Sequence, residues 1–76
     1  MLGIIGAMEE EVNEILALMK VEKEYQECNY HFYEGFLGKK EVVVVQGGIG
    51  KVNAAISATL LLKNFDIDHV INVGSA

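Results

Sequence analysis

Three consecutive carboxylates, Glu9-Glu10-Glu11, follow a short apolar run, Leu2-Gly3-Ile4-Ile5, by way of Gly6-Ala7-Met8. Behind them Val12, Ile15, Leu16 and Met19 recur at helical spacing. The acids therefore fall on the first turn of a helix that leaves a strand directly. A helix start offers free N–H groups and a partial positive charge, which alone favours acids there. That junction is also the usual ligand edge of an α/β sheet, where a carboxylate can accept a proton or stabilise developing positive charge. One turn of helix cannot point three successive side chains at one spot.

Two other stretches could share that edge. Gly47-Gly48-Ile49-Gly50-Lys51 breaks a strand, and Asn72-Val73-Gly74-Ser75-Ala76 ends one with a hydroxyl. The first is not a phosphate loop: with Gly50-Lys51 fixed, Val45 stands at the first glycine and Val52 at the hydroxyl position. It also fails the dinucleotide fingerprint, because Asn53 occupies the third glycine position. Acids after a first strand can hold Mg²⁺ in phosphoacceptor modules, but those use aspartates and a plain strand–helix alternation. His31 and His69 sit in predicted strands without metal-ligand spacing and read as packing or surface residues, so no metal is expected. Cys28, with Glu24 and Glu27 nearby, reads as inert, since acidic neighbours disfavour the thiolate.

The elements that must position these stretches are legible from patterning. Residues 2–6 read as a strand apolar on both faces, and hence central in a sheet. Residues 8–20 read as a helix, and residues 21–27 as an exposed strand. The aromatic-rich segment from Tyr30 to Leu37 suits a half-buried strand, and Glu41-Val42-Val43-Val44-Val45-Gln46 a central one. Lys51 to Phe65 forms a second helix, apolar nearly all round and so expected to be buried against a sheet or a partner subunit. His69 to Val73 is a fifth strand. The order β-α-β-β-β-α-β is that of an α/β fold with a mixed sheet containing an antiparallel meander. If the first, fourth and fifth strands run parallel, Ala7–Glu11, Gly47–Gly50 and Gly74–Ala76 converge on one edge. That convergence is the physical case for a small-molecule site.

Composition narrows the partners. Seventy-six residues allow at most one small domain, yet 51% are apolar and only 22% charged. A single cysteine excludes an internal disulfide framework and points to a cytoplasmic chain. Net charge is −5, and all six basic residues are lysines, so a nucleic-acid surface is not expected. The apolar start lacks a basic leader, and the longest apolar stretch, Val52 to Leu62, is too short to span a bilayer. A chain ending on an apolar strand and a small-residue loop, not a polar tail, reads as the opening portion of a longer domain.

Taken together, Gly3-Ile4-Ile5-Gly6-Ala7-Met8-Glu9-Glu10-Glu11-Val12, Gly48-Ile49-Gly50-Lys51-Val52-Asn53-Ala54-Ala55 and Asn72-Val73-Gly74-Ser75-Ala76 resemble the N-terminal part of the 5'-methylthioadenosine/S-adenosylhomocysteine nucleosidases. The resemblance extends over essentially the whole chain. It implies the N-terminal part of a phosphorylase-like, three-layer α/β fold, a homodimer, and cofactor-free hydrolysis of the N-glycosidic bond of a small nucleoside. By position it makes Glu11 the glutamate that orients and deprotonates the attacking water. Met8 and Ile49 correspond to residues around the ribose and alkylthio tail, and Ser75 to a serine near the water and ribose. Glu9 and Glu10 are then expected to face solvent. The family's general acid, its ribose-gripping pair and its adenine loop have no counterpart within these residues. A nucleoside phosphorylase is the nearest alternative. Phosphate as nucleophile calls for arginines around an anion, and this stretch has none, so water is the expected nucleophile. A non-catalytic fragment that folds only with a partner is the alternative of another class.

Overall fold

The structure, a computed structural model, describes residues 1–6, 8–27, 30–46 and 51–73, with the side chains of residues 51–54 outside that description. Its elements are β1 (Leu2–Gly6), α1 (Glu9–Leu18), β2 (Lys20–Glu27), β3 (Tyr30–Leu37), β4 (Lys40–Gln46), α2 (Lys51–Asn64) and β5 (His69–Val73). They form one five-stranded sheet in the order β2-β3-β4-β1-β5. β1 pairs in parallel with both β4 and β5, whereas β2, β3 and β4 pair antiparallel. The α/β class, the element order and the mixed sheet are those expected from the sequence.

The two faces of the sheet are covered by different helices, which gives three layers. Ile4, Val42 and Val44 pack with Val12 and Met19 on the α1 side, and Ile5, Val43, Val45, Tyr30 and Phe32 pack with Leu60 and Leu61 on the α2 side. The four valines of β4 are fully enclosed because alternate side chains enter opposite cores. Gly38 closes the β3–β4 turn at φ 67°, a left-handed conformation that glycine adopts without the Cβ penalty.

Five boundaries depart from the sequence expectation; among them α1 begins at Glu9, not at residue 8, and α2 ends at Asn64, not at Phe65. α1 ends at Leu18, not at residue 20, because Met19 is extended (φ −106°, ψ 159°) and buries its side chain in the α1-side core. Lys20 then already belongs to β2, and Lys40 to β4. α2 is also less enclosed than its composition suggests: Ser57, Leu60 and Leu61 are buried, but Ile56 and Leu62 are 41% and 59% exposed. Among the described residues, its packing is on the side that faces the sheet.

The far edges are tied by contacts between residues distant in sequence. The terminal ammonium of Met1 donates to Asp68 Oδ2 at 2.8 Å, and the Asp68 N–H donates to the Met1 carbonyl at 2.9 Å. These bonds hold the entry of β5 beside the start of β1. The ammonium's hydrogen bond, reinforced by its charge, holds the Asp68 carboxyl below its ordinary range. At the other end Asn64 Nδ2 donates to Glu27 Oε2 at 2.8 Å, and Lys63 Nζ lies 3.8 Å from Glu27 Oε1.

Candidate active site

Parallel pairing places the carboxyl ends of three strands side by side: Gly6 is in register with Gln46 of β4 and with Val73 of β5. The edge anticipated for a ligand site therefore exists. Of the three segments that leave it, Met8–Glu11 is described. Ile49, in Gly47–Gly50, and Ser75, in Gly74–Ala76, lie outside the described residues.

From Gly6 the chain enters α1 within three residues. Met8 is the N-cap, extended at φ −109° and ψ 136°, and its side chain makes no capping hydrogen bond. The helix is secured by the Val12 N–H, which donates to the Met8 carbonyl at 3.1 Å. Val12 itself is wholly buried against the sheet. This anchor fixes the first turn's rotation and sorts its three acids: Glu9 and Glu10 are exposed, and Glu11 is partly buried. Met8 remains 41% exposed beside it in sequence.

Glu11 carries the unusual feature. Its Oε1 is buried and has no hydrogen-bond partner among the described residues. Glu11 occupies the third helical position after the N-cap, where a glutamate ordinarily reaches back to the N-cap N–H. Oε1 is not spent in that way. Leaving a buried acceptor unsatisfied costs about 1–3 kcal/mol, and more for a charged group. Such atoms in folded proteins are commonly completed by a water or a ligand. A carboxylate oxygen held dry, beside a sheet edge and near a helix's positive end, is equipped to bind a water through its hydrogen and to accept its proton.

Nothing else in the described residues competes for this role. His31 and His69 are exposed on their strands, as expected, and no cluster of metal-ligating side chains occurs among the described residues. A hollow of about 370 Å³ lies between Tyr25, Gln26, Glu27, Phe32, Asn64 and Phe65. Its one carboxylate, Glu27, already accepts from Asn64, and its walls include the rings of Tyr25, Phe32 and Phe65, with Tyr25 edge-on to Phe65 and Phe32 tilted against it. No helix among the described residues is long and apolar enough to cross a membrane. The sequence placed Gly6 at the end of the first strand and gave no sign of how closely Val12 packs on it.

The same fold recurs in known proteins. The 5'-methylthioadenosine/S-adenosylhomocysteine nucleosidase of an Exiguobacterium species is 57% identical over 74 residues, 97% of this chain and 32% of the relative. The enzyme of the same name from Staphylococcus aureus is 53% identical over all 76 residues, 33% of its length. The chain thus spans about a third of the curated relatives it matches. Among solved structures, the Neisseria meningitidis nucleosidase in complex with methylthio-immucillin-A superposes with a TM-score of 0.92 at 40% identity, covering 99% of this chain and 32% of that one. The futalosine hydrolase of Helicobacter pylori superposes at 0.86 with 34% identity, over 99% of this chain and 33% of that one. The family model described as the phosphorylase superfamily matches residues 1–76. From its first strand to its last residue, then, the chain belongs to the phosphorylase superfamily.

Proposed function

We propose that these residues are the N-terminal portion of a single nucleosidase domain that hydrolyses the N-glycosidic bond of 5'-methylthioadenosine and S-adenosylhomocysteine. The observation that carries the reading is the buried, unspent Oε1 of Glu11 at the edge where β1, β4 and β5 end together. The names of the relatives supply the substrate class.

In this reading a water held by Glu11 attacks the anomeric carbon of the ribose. The bond from that carbon to the purine nitrogen breaks, and its electron pair leaves with the purine. The water's proton passes to Glu11, and adenine and the thioribose product result. As the purine departs, positive charge develops on the sugar, and a nearby carboxylate lowers its energy. By the resemblance, Met8 and Ile49 are assigned to the ribose and alkylthio tail, and Ser75 to the water and ribose. The acid that protonates the purine lies outside these 76 residues. The assembly we infer is a cytoplasmic homodimer acting on a small nucleoside, without nucleic acid, membrane or cofactor.

The superfamily also contains phosphorolytic chemistry, in which phosphate replaces water. A carboxylate at the nucleophile's position disfavours an anionic nucleophile by like-charge repulsion. The likeness to futalosine hydrolase keeps water as the nucleophile and changes only the substrate. The test is release of the free purine base by the complete protein, adenine from methylthioadenosine and adenosylhomocysteine and hypoxanthine from futalosine, with and without inorganic phosphate. Release from the first two in phosphate-free buffer is expected. Turnover that requires phosphate, or that occurs with futalosine alone, overturns the proposal.

A further inference from the structure

We propose that Gly6 and Val12 form a positioning contact that sets where the Glu11 carboxylate sits, an inference that rests on Glu11 being the water-activating group. Gly6 ends β1, and Val12 is the residue next to Glu11 on α1. A Cβ built on Gly6 would overlap Cγ2 of Val12 outright, with the Val12 Cβ at 3.7 Å and its Cα at 4.0 Å. The helix therefore rests on bare strand backbone at this point. It can approach so closely only because residue 6 has no side chain.

The contact cannot relax locally. Val12 is completely enclosed, in one cluster with Ile4, Val42, Val44 and Met19. Its branched Cβ holds essentially one rotamer in a helix, so Cγ2 has nowhere to turn. The strand side is equally fixed, because β1 is paired on both edges. A methyl group at position 6 must consequently lift the first turn of α1, and the backbone of Glu11 moves with it. Displacing a reacting group by about 1 Å costs on the order of 100-fold in rate. Removing Val12's methyl groups has the opposite geometric fault, since it leaves a void under the turn that Glu11 is mounted on.

Two individually harmful changes should therefore correct each other. In the complete enzyme, Gly6→Ala is expected to lower kcat for methylthioadenosine about 10- to 100-fold, well beyond any rise in KM. Val12→Ala is expected to lower it by about 3- to 10-fold, and Gly6→Ala/Val12→Ala to return to within about threefold of the parent, because the new methyl fills the space the valine vacated. A contact that serves only stability would move the thermal midpoint while leaving kcat per folded enzyme unchanged in all three. Should Gly6→Ala fail to fold, recovery of kcat from Val12→Ala to the double variant still decides the matter. Multiplicative losses in the double variant, or an unaltered kcat in either single variant, overturn the inference. Full activity of Glu11→Gln, measured alongside, would instead remove the reading on which it rests.

Discussion

Replacing Leu61 by alanine tests the α2-side core on which the site's scaffold depends. Leu61 is completely buried, and its Cδ1 lies 3.1 Å from where a Cβ on Gly3 would stand. The leucine thus fills a hollow that β1 leaves open by carrying glycine. Its other neighbours include the fully buried Val43 and Val45, stiff β-branched residues on a central strand. Leucine-to-alanine changes cost about 2–5 kcal/mol, and the larger values belong to sites that cannot collapse. A floor of bare backbone and walls of fixed valines put Leu61→Ala at about 3–4 kcal/mol. The curated relatives are about three times this length, and for a protein of that size each kcal/mol moves the thermal midpoint by about 2–4 °C. The midpoint of the complete protein should fall by about 6–16 °C in differential scanning calorimetry. Lys63→Ala, two residues on, removes only an exposed ion pair with Glu27 and should cost no more than about 1 kcal/mol. Equal shifts for the two variants would refute the packing argument.

Two further outcomes are expected. The Asp68 carboxyl, held by the terminal ammonium, should titrate by NMR below its ordinary 3.8; its contribution to stability is present above that value and lost as pH falls through the lower folded one. Asp68→Asn should abolish that part of the acid dependence, and an Asp68 that titrates at its ordinary value would contradict the pairing. The isolated 76-residue chain, incubated with methylthioadenosine, should release no adenine at an enzymatic rate. It should instead associate through the free edge of β5 and the exposed Ile56 and Leu62 of α2. Normal turnover by that chain would contradict the proposed division of catalytic groups.

Much of this architecture was legible in the sequence because it depends on period and burial. Val42 to Val45 announced a strand enclosed on both faces, and the helical spacing of Val12, Ile15, Leu16 and Met19 announced α1. The parallel edge was posed from the sequence as a condition, which the pairing of β1 with β4 and β5 meets. The exposure of Glu9 and Glu10 followed from the resemblance that singles out Glu11, since one turn cannot aim all three acids at one spot. What was not legible depends on partners far away in the chain. Met19 continues the helical pattern, yet its backbone is extended and its side chain is buried in the core on the α1 side. The bonds from Met1 to Asp68 and from Asn64 to Glu27 span 67 and 37 residues, beyond the reach of any local pattern. Gly6 read as the last residue of the first strand, and its closeness to Val12 emerged only once β1 and α1 were packed together.

The central claim is that Glu11 readies the water that cleaves the sugar–purine bond. It is tested most directly by kcat and KM of Glu11→Gln in the complete enzyme, which keeps the side chain's size and removes its basicity. Loss of a general base costs typically 10²–10⁴-fold, so kcat should fall at least about 100-fold with KM little changed. A glutamine variant that turns over methylthioadenosine within about threefold of the parent rate would contradict the account.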